Sequence, residues 1–156
     1  MEFTQVFATV GISALITSAA FAQERQVHRQ YLGAFSNVQI SAMSGDCGGV
    51  SVKLWLDTKD RARPSVSGVL YDASGTCPGK KYALEETQFD PQSGSLSLIA
   101  KDGQSGVLAA KFIGVMNTKG LHGNFGFGNQ STGEIDSWSE IDLRRLSAKE
   151  WALVGE

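Results

Sequence analysis

The sequence predicts an all-β domain: an antiparallel up-and-down meander of about eight strands, closed or nearly closed as a barrel, with a short C-terminal helix. Three observations carry this. Apolar residues recur with period two between positions 30 and 146, and no run of ten or more residues before position 147 shows a helical stripe. The breaks between the alternating runs are short and rich in Gly, Asn and Asp, which supply the positive φ of tight hairpins. The only two cysteines fall in loops that such a meander brings to one end.

In chain order, residues 1–22 read as a cleavable signal peptide. An uncharged, small-residue-rich run from Val6 ends in Ala20-Phe21-Ala22, and polar Gln23-Glu24-Arg25 follows. Glu2 stands where a basic residue is usual. After cleavage no membrane span is expected, because the apolar run goes with the leader. Residues 23–29 form a polar lead-in, 30–146 the β-barrel domain and 147–156 the helix or tail.

The clearest strand is Val50–Asp57. Val50, Val52, Leu54 and Leu56 share one face, and Ser51, Lys53, Trp55 and Asp57 share the other. Similar runs occupy residues 30–41, 64–72, 81–90, 96–101, 107–116, 121–127 and 135–146. In the first of these the apolar parity changes from Tyr31 and Phe35 to Val38 and Ile40, so a bulge or bend is expected near Ser36-Asn37. Short turns favour hairpins over crossovers, and closure would remove exposed edges. An open sandwich is the alternative.

Cys47 lies in the loop after the first strand and Cys77 in the loop after the third, at the same end of the meander. An exported chain meets an oxidising compartment, so a Cys47–Cys77 disulfide is expected. Ser147-Ala148-Lys149-Glu150 is a capping box, and Trp151, Leu153 and Val154 give the helix it opens an apolar side that packs on the outside of the sheet. The run 107–116 is apolar on both faces. Val107, Ala109, Ile113 and Val115 make one face, interrupted by Lys111, and Leu108, Ala110, Phe112, Gly114 and Met116 make the other. Leu108, Phe112 and Met116 are therefore assigned to an outer surface covered by the helix or by a second subunit.

Composition excludes several function classes. Losing residues 1–22 removes Glu2 and no basic residue, leaving 14 Lys and Arg against one fewer than the 16 Asp and Glu of the full chain. Such a balance leaves no electrostatic footprint for nucleic acid. His28 and His122 are the only histidines, and two disulfide-bound cysteines leave too few soft ligands for zinc, so no metal or cofactor is expected. The glycines of 123–128 alternate along a strand and match no phosphate loop. Glu134, Asp136, Glu140 and Asp142 share one strand face with Trp138 and Arg144, which reads as a solvated exterior, with Ile135, Ile141, Leu143 and Arg145 facing in.

Tyr31-Leu32-Gly33-Ala34-Phe35 with Arg145 on the last strand resembles the calycin arrangement of lipocalins, avidins and fatty-acid-binding proteins. There a Gly-x-Trp on the first strand meets a basic residue near the barrel's end, and here Phe35 replaces the tryptophan. The resemblance implies an architecture. The stretches 31–41 and 44–49 are also similar to a group of small exported bacterial β-proteins of unassigned activity, which implies export and carries over no site.

The leading expectation is a non-enzymatic exported binding module, periplasmic or extracellular, with a small apolar ligand inside the barrel. Gly33, Gly68 and Gly123 would leave volume beside Phe35, Leu54, Leu70, Phe125 and Phe127, with Arg145 at the rim. The alternative is a protein-interaction module, a hydrolase inhibitor or envelope assembly factor, working through its loops with Trp55, Tyr71 and Trp138 as anchors. An enzyme ranks third, since titrating groups are not concentrated anywhere.

Overall fold

A computed structural model describes residues 29–58, 65–129 and 131–155 of the chain. The expected signal segment, nearly all of the lead-in and His28 lie outside the described residues. The strands are β1 (Arg29–Ser36), β2 (Gln39–Ile40), β3 (Cys47–Gly48), β4 (Val50–Asp57), β5 (Ser65–Asp72), β6 (Lys80–Phe89), β7 (Ser95–Lys101), β8 (Leu108–Met116), β9 (Gly120–Phe127) and β10 (Ser139–Arg145), followed by helix α1 (Ala148–Val154). Eight strands close an up-and-down antiparallel barrel in the order β1-β10-β9-β8-β7-β6-β5-β4, and β2 and β3 form a separate ribbon.

Alternation sorts the side chains as expected on β4: Val50, Val52 and Leu54 are buried inside and Leu56 packs partly against the same core. Phe35, Leu96, Leu98 and Phe112 complete the centre of the interior. A second, outer cluster joins Ala34, Tyr71 and Leu146 to Trp151 and Val154 of α1. The capping box is made: Ser147 Oγ accepts from the Glu150 N–H, and the Glu150 carboxylate accepts from the Ser147 N–H at 2.8 Å. Leu153, expected on the packed side, points to solvent.

The cysteines are joined. Cys47 and Cys77 form a disulfide 30 residues apart in sequence, at the end of the barrel that also carries the β7–β8 and β9–β10 connections. The Gly75 N–H donates to the Cys47 carbonyl beside it at 2.8 Å. This is called the disulfide end below, and the opposite one the turn end.

Three elements differ from expectation. β1 carries its bulge between Tyr31 and Gly33 rather than near Ser36-Asn37. Tyr31 is thereby turned outward against Trp55, and Val38 needs no inward register, because it packs on the outer cluster. The last strand starts at Ser139, four positions after Ile135. Ile135 instead bridges Gly128, and its side chain lies on Gly126, where any Cβ would collide with it. On β8, the expected outer residue Phe112 is inside, 1% exposed, and Met116 packs against the same interior. Phe112 therefore offers no oligomer surface, and Met116 and Leu108 are each half-buried. The outer face is Ile113 and Val115, and α1 lies across the far wall. With both faces of the strand apolar, side-chain chemistry cannot choose between them, and a one-residue change of register exchanges every one.

Barrel closure is asymmetric. β10 pairs with β9 along its whole length but with β1 only at Phe35↔Arg145 and Ser36↔Arg144, helped by a bond from the Leu146 N–H to the Ala34 carbonyl.

Candidate functional site

At the disulfide end, β9 runs past the packed core. Phe125 and Phe127 are two residues apart and so share the inner face. Their rings meet edge-on with centroids 4.9 Å apart. Phe125 is 6% exposed, whereas Phe127, one step further out, is 46% exposed. Phe127 is thus a mouth residue, on the inner face to which the sequence assigns it but beyond the packed interior. The two rings and Ile141 of β10 line an open hollow of about 300 Å³, whose polar rim is Asn37, Asp72, Ser74, Ser137 and Ser139.

The rim is held by local chemistry. The Asn37 side-chain oxygen accepts from the Val50 N–H at 2.9 Å, and a Cβ on Gly49, at φ +122°, would run into that same side chain. The Ser74 hydroxyl donates to Asp72 at 2.6 Å. The Ala73 N–H donates to the Gly49 carbonyl at 2.9 Å, and the disulfide ties the two loops behind them. A hollow with an apolar floor, a few polar groups and a wall of pinned loops binds without much ordering cost.

The remaining expected ligand residues lie elsewhere. Phe35, Leu54 and Leu70 are fully inside the core. Arg145 sits toward the turn end, its guanidinium 4.8 Å above the Phe35 ring and donating to the Leu32 carbonyl at 2.6 Å. The volume expected beside the inner glycines is filled: a Cβ would meet Arg145 and Phe35 at Gly33, Leu54 and Leu84 at Gly68, and Gly114 with Ile113 at Gly123. Sequence reasoning missed Asp72, Ser74, Ser137 and Ser139. The last two were legible in principle, since Ser137, Ser139 and Ile141 share the inner parity and trace a face leaving the core for water.

Of the outward anchors, Trp138 is exposed and Trp55 half-buried, but Tyr71 is covered edge-on by Trp151 at 5.7 Å. His122 faces out, as expected, and contacts Asp142 in an exposed pair. Asp102 is held well below the usual carboxylate range by Lys80 and by the Ser105 and Gln104 N–H groups. Among the described residues no group of three or more His, Cys, Asp or Glu could hold a metal ion.

The chain matches no protein-family model, no curated protein and no solved structure.

Proposed function

We propose that this chain is a non-enzymatic binding module that holds a small, largely apolar ligand in the mouth at the disulfide end. The observation that carries the reading is the Phe125–Phe127 pair, with its outer ring left half-exposed above a hollow of about 300 Å³. A large ring at a pinned, concave rim gains by being covered. The ligand therefore sits across the open end rather than deep in the barrel, whose centre is occupied by Phe35, Leu54 and Phe112. The disulfide suits an oxidising compartment, so the module works outside the cytoplasm. Among the described residues no helix is long and apolar enough to cross a membrane.

Titration with the uncharged fluorophore N-phenylnaphthylamine tests the site. Saturable one-to-one binding is expected, weakened at least about tenfold by Phe127→Ala, the equivalent of ~1.4 kcal/mol. Ile113→Ala, on the outer wall, should leave it unchanged. Equal affinity in the wild type and the Phe127 variant would refute the assignment.

A further inference from the structure

The mouth continues at its Asn37 side into an open seam of the barrel wall, with Ser139 and Ile141 of β10 lining the mouth and Asp142 and Leu143 lining the groove beyond it. The hydrogen-bond phase of β10 follows from two bonds. The Arg145 N–H donates to the Lys119 carbonyl on the β9 side, and the Leu146 N–H donates to the Ala34 carbonyl on the β1 side. In an antiparallel ladder successive residues turn their main-chain groups to opposite neighbours. Odd-numbered residues of β10 therefore bond β9, and even-numbered ones, Glu140 and Asp142 among them, face the β1 side. Among the described residues no strand lies there. β1 ends at Ser36, and the next strand residues, Gln39 and Ile40, pair with Gly48 and Cys47 instead.

Beside this edge runs a groove of about 520 Å³. Asn37, Val38 and Gln39 form its far wall, and Leu121 and Leu143 contribute apolar lining. A smaller hollow of about 160 Å³ shares Val38 and Arg144 with it and extends it toward Ile40 and Leu153. Those two are 54% and 66% exposed.

We propose that the β10 edge accepts an extended peptide segment of a partner protein, added as a strand, with basic side chains alternating with apolar ones. Main-chain groups of Glu140 and Asp142 supply the ladder, the usual source of affinity when a strand joins a sheet edge. The side chains set the chemistry. Glu140 and Asp142 stand on the outer face, both exposed, so a neighbouring strand places its outward residues directly beside two carboxylates. Its inward residues fall next to Ile141 and Leu143, which belong to the interior. Three basic groups stand nearby: His122 contacts Asp142 from β9, Arg144 is engaged by Glu150 at 2.6 Å, and Lys119 lines the groove toward the turn end, so the carboxylate that no basic group contacts among the described residues is that of Glu140. The same acids disfavour a second copy as occupant, because two β10 edges would set carboxylates against carboxylates, a device that keeps sheet edges from pairing with themselves.

The test uses the disulfide-bonded protein and an acetylated peptide of alternating lysine and valine. Two comparison peptides carry glutamate for lysine or N-methyl groups on alternate amides. The lysine peptide should slow hydrogen exchange at the Glu140 and Asp142 amides and bind about tenfold tighter than the glutamate peptide, which is what two cross-strand charge pairs are worth. The doubly substituted variant Glu140→Lys with Asp142→Lys should invert that preference. Glu140→Pro removes an N–H that faces no strand, so the barrel should melt as the wild type does while peptide binding is lost. Undiminished binding of the N-methylated peptide would reduce the effect to charge attraction and overturn the proposal. So would protection mapping away from β10, no binding at millimolar peptide, or self-association of the protein through this edge.

Discussion

Neighbouring residues on β4 show how sharply the wall divides inside from outside. Leu54 is fully buried among the core side chains, so Leu54→Ala should cost about 2–5 kcal/mol, the transfer term plus a cavity. Lys53, one position before it, faces out, and simple alternation would make it replaceable. Its ammonium, however, lies 5.5 Å from the Trp55 ring and 5.1 Å from the Trp151 ring, holding strand to helix. Lys53→Ala should therefore cost about 0.5–1 kcal/mol instead of nothing. Urea unfolding midpoints measure both, and equal losses at the two positions would contradict the register.

At the scale of the element, α1 is a seven-residue helix that could not persist alone. Trp151 and Val154 anchor it across the outer cluster, and its N-terminus rests on Glu150. The Ser147 N–H, then the Ser147 hydroxyl, then the Arg144 guanidinium hold the Glu150 carboxyl down to about 2 from the usual 4.5. The folded state thus favours the ionised form. Its contribution is fully present above pH 4.5 and is lost as the pH falls from there toward about 2. Acidification through that window should release α1 before the barrel melts, which shows as loss of the Trp151 indole resonance position. Glu150→Gln should flatten this dependence, and an unchanged acid profile in that variant would exclude the cap as its origin.

For the whole molecule, stability and binding meet at the disulfide end. Closing a loop of 30 residues contributes roughly 3–4 kcal/mol in the chain-entropy account. Reduction should lower the melting temperature accordingly. Since Gly49, Asp72 and Ser74 wall the mouth beside the bridge, reduction should also weaken N-phenylnaphthylamine binding at temperatures where the barrel remains folded. Calorimetry and titration with and without reductant check both, and an unchanged melting temperature would mean the loops are held by their hydrogen bonds alone.

The sequence by itself determined what depends on near neighbours. Alternation along Val50–Asp57, glycine at the turns, the Ser147–Glu150 box and the same-end position of Cys47 and Cys77 each rest on spacing within an element or on loop order, and each is found in the fold. Phe125 and Phe127 were legible as neighbours on one inner face, but not that the core would stop between them. That depends on how far β9 overruns the strands across the barrel. The facing of Phe112 and Ile113 was undecidable locally, because both sides of β8 are apolar. The spaces at Gly33, Gly68 and Gly123 are taken up by side chains and main-chain atoms that come mostly from other strands, which no local pattern reveals. The seam between β1 and β10 belongs to tertiary structure most of all. The offset between first and last strand accumulates through every register and bulge around the barrel, so two residue pairs close the wall and β10 borders a groove at Asp142 and Leu143.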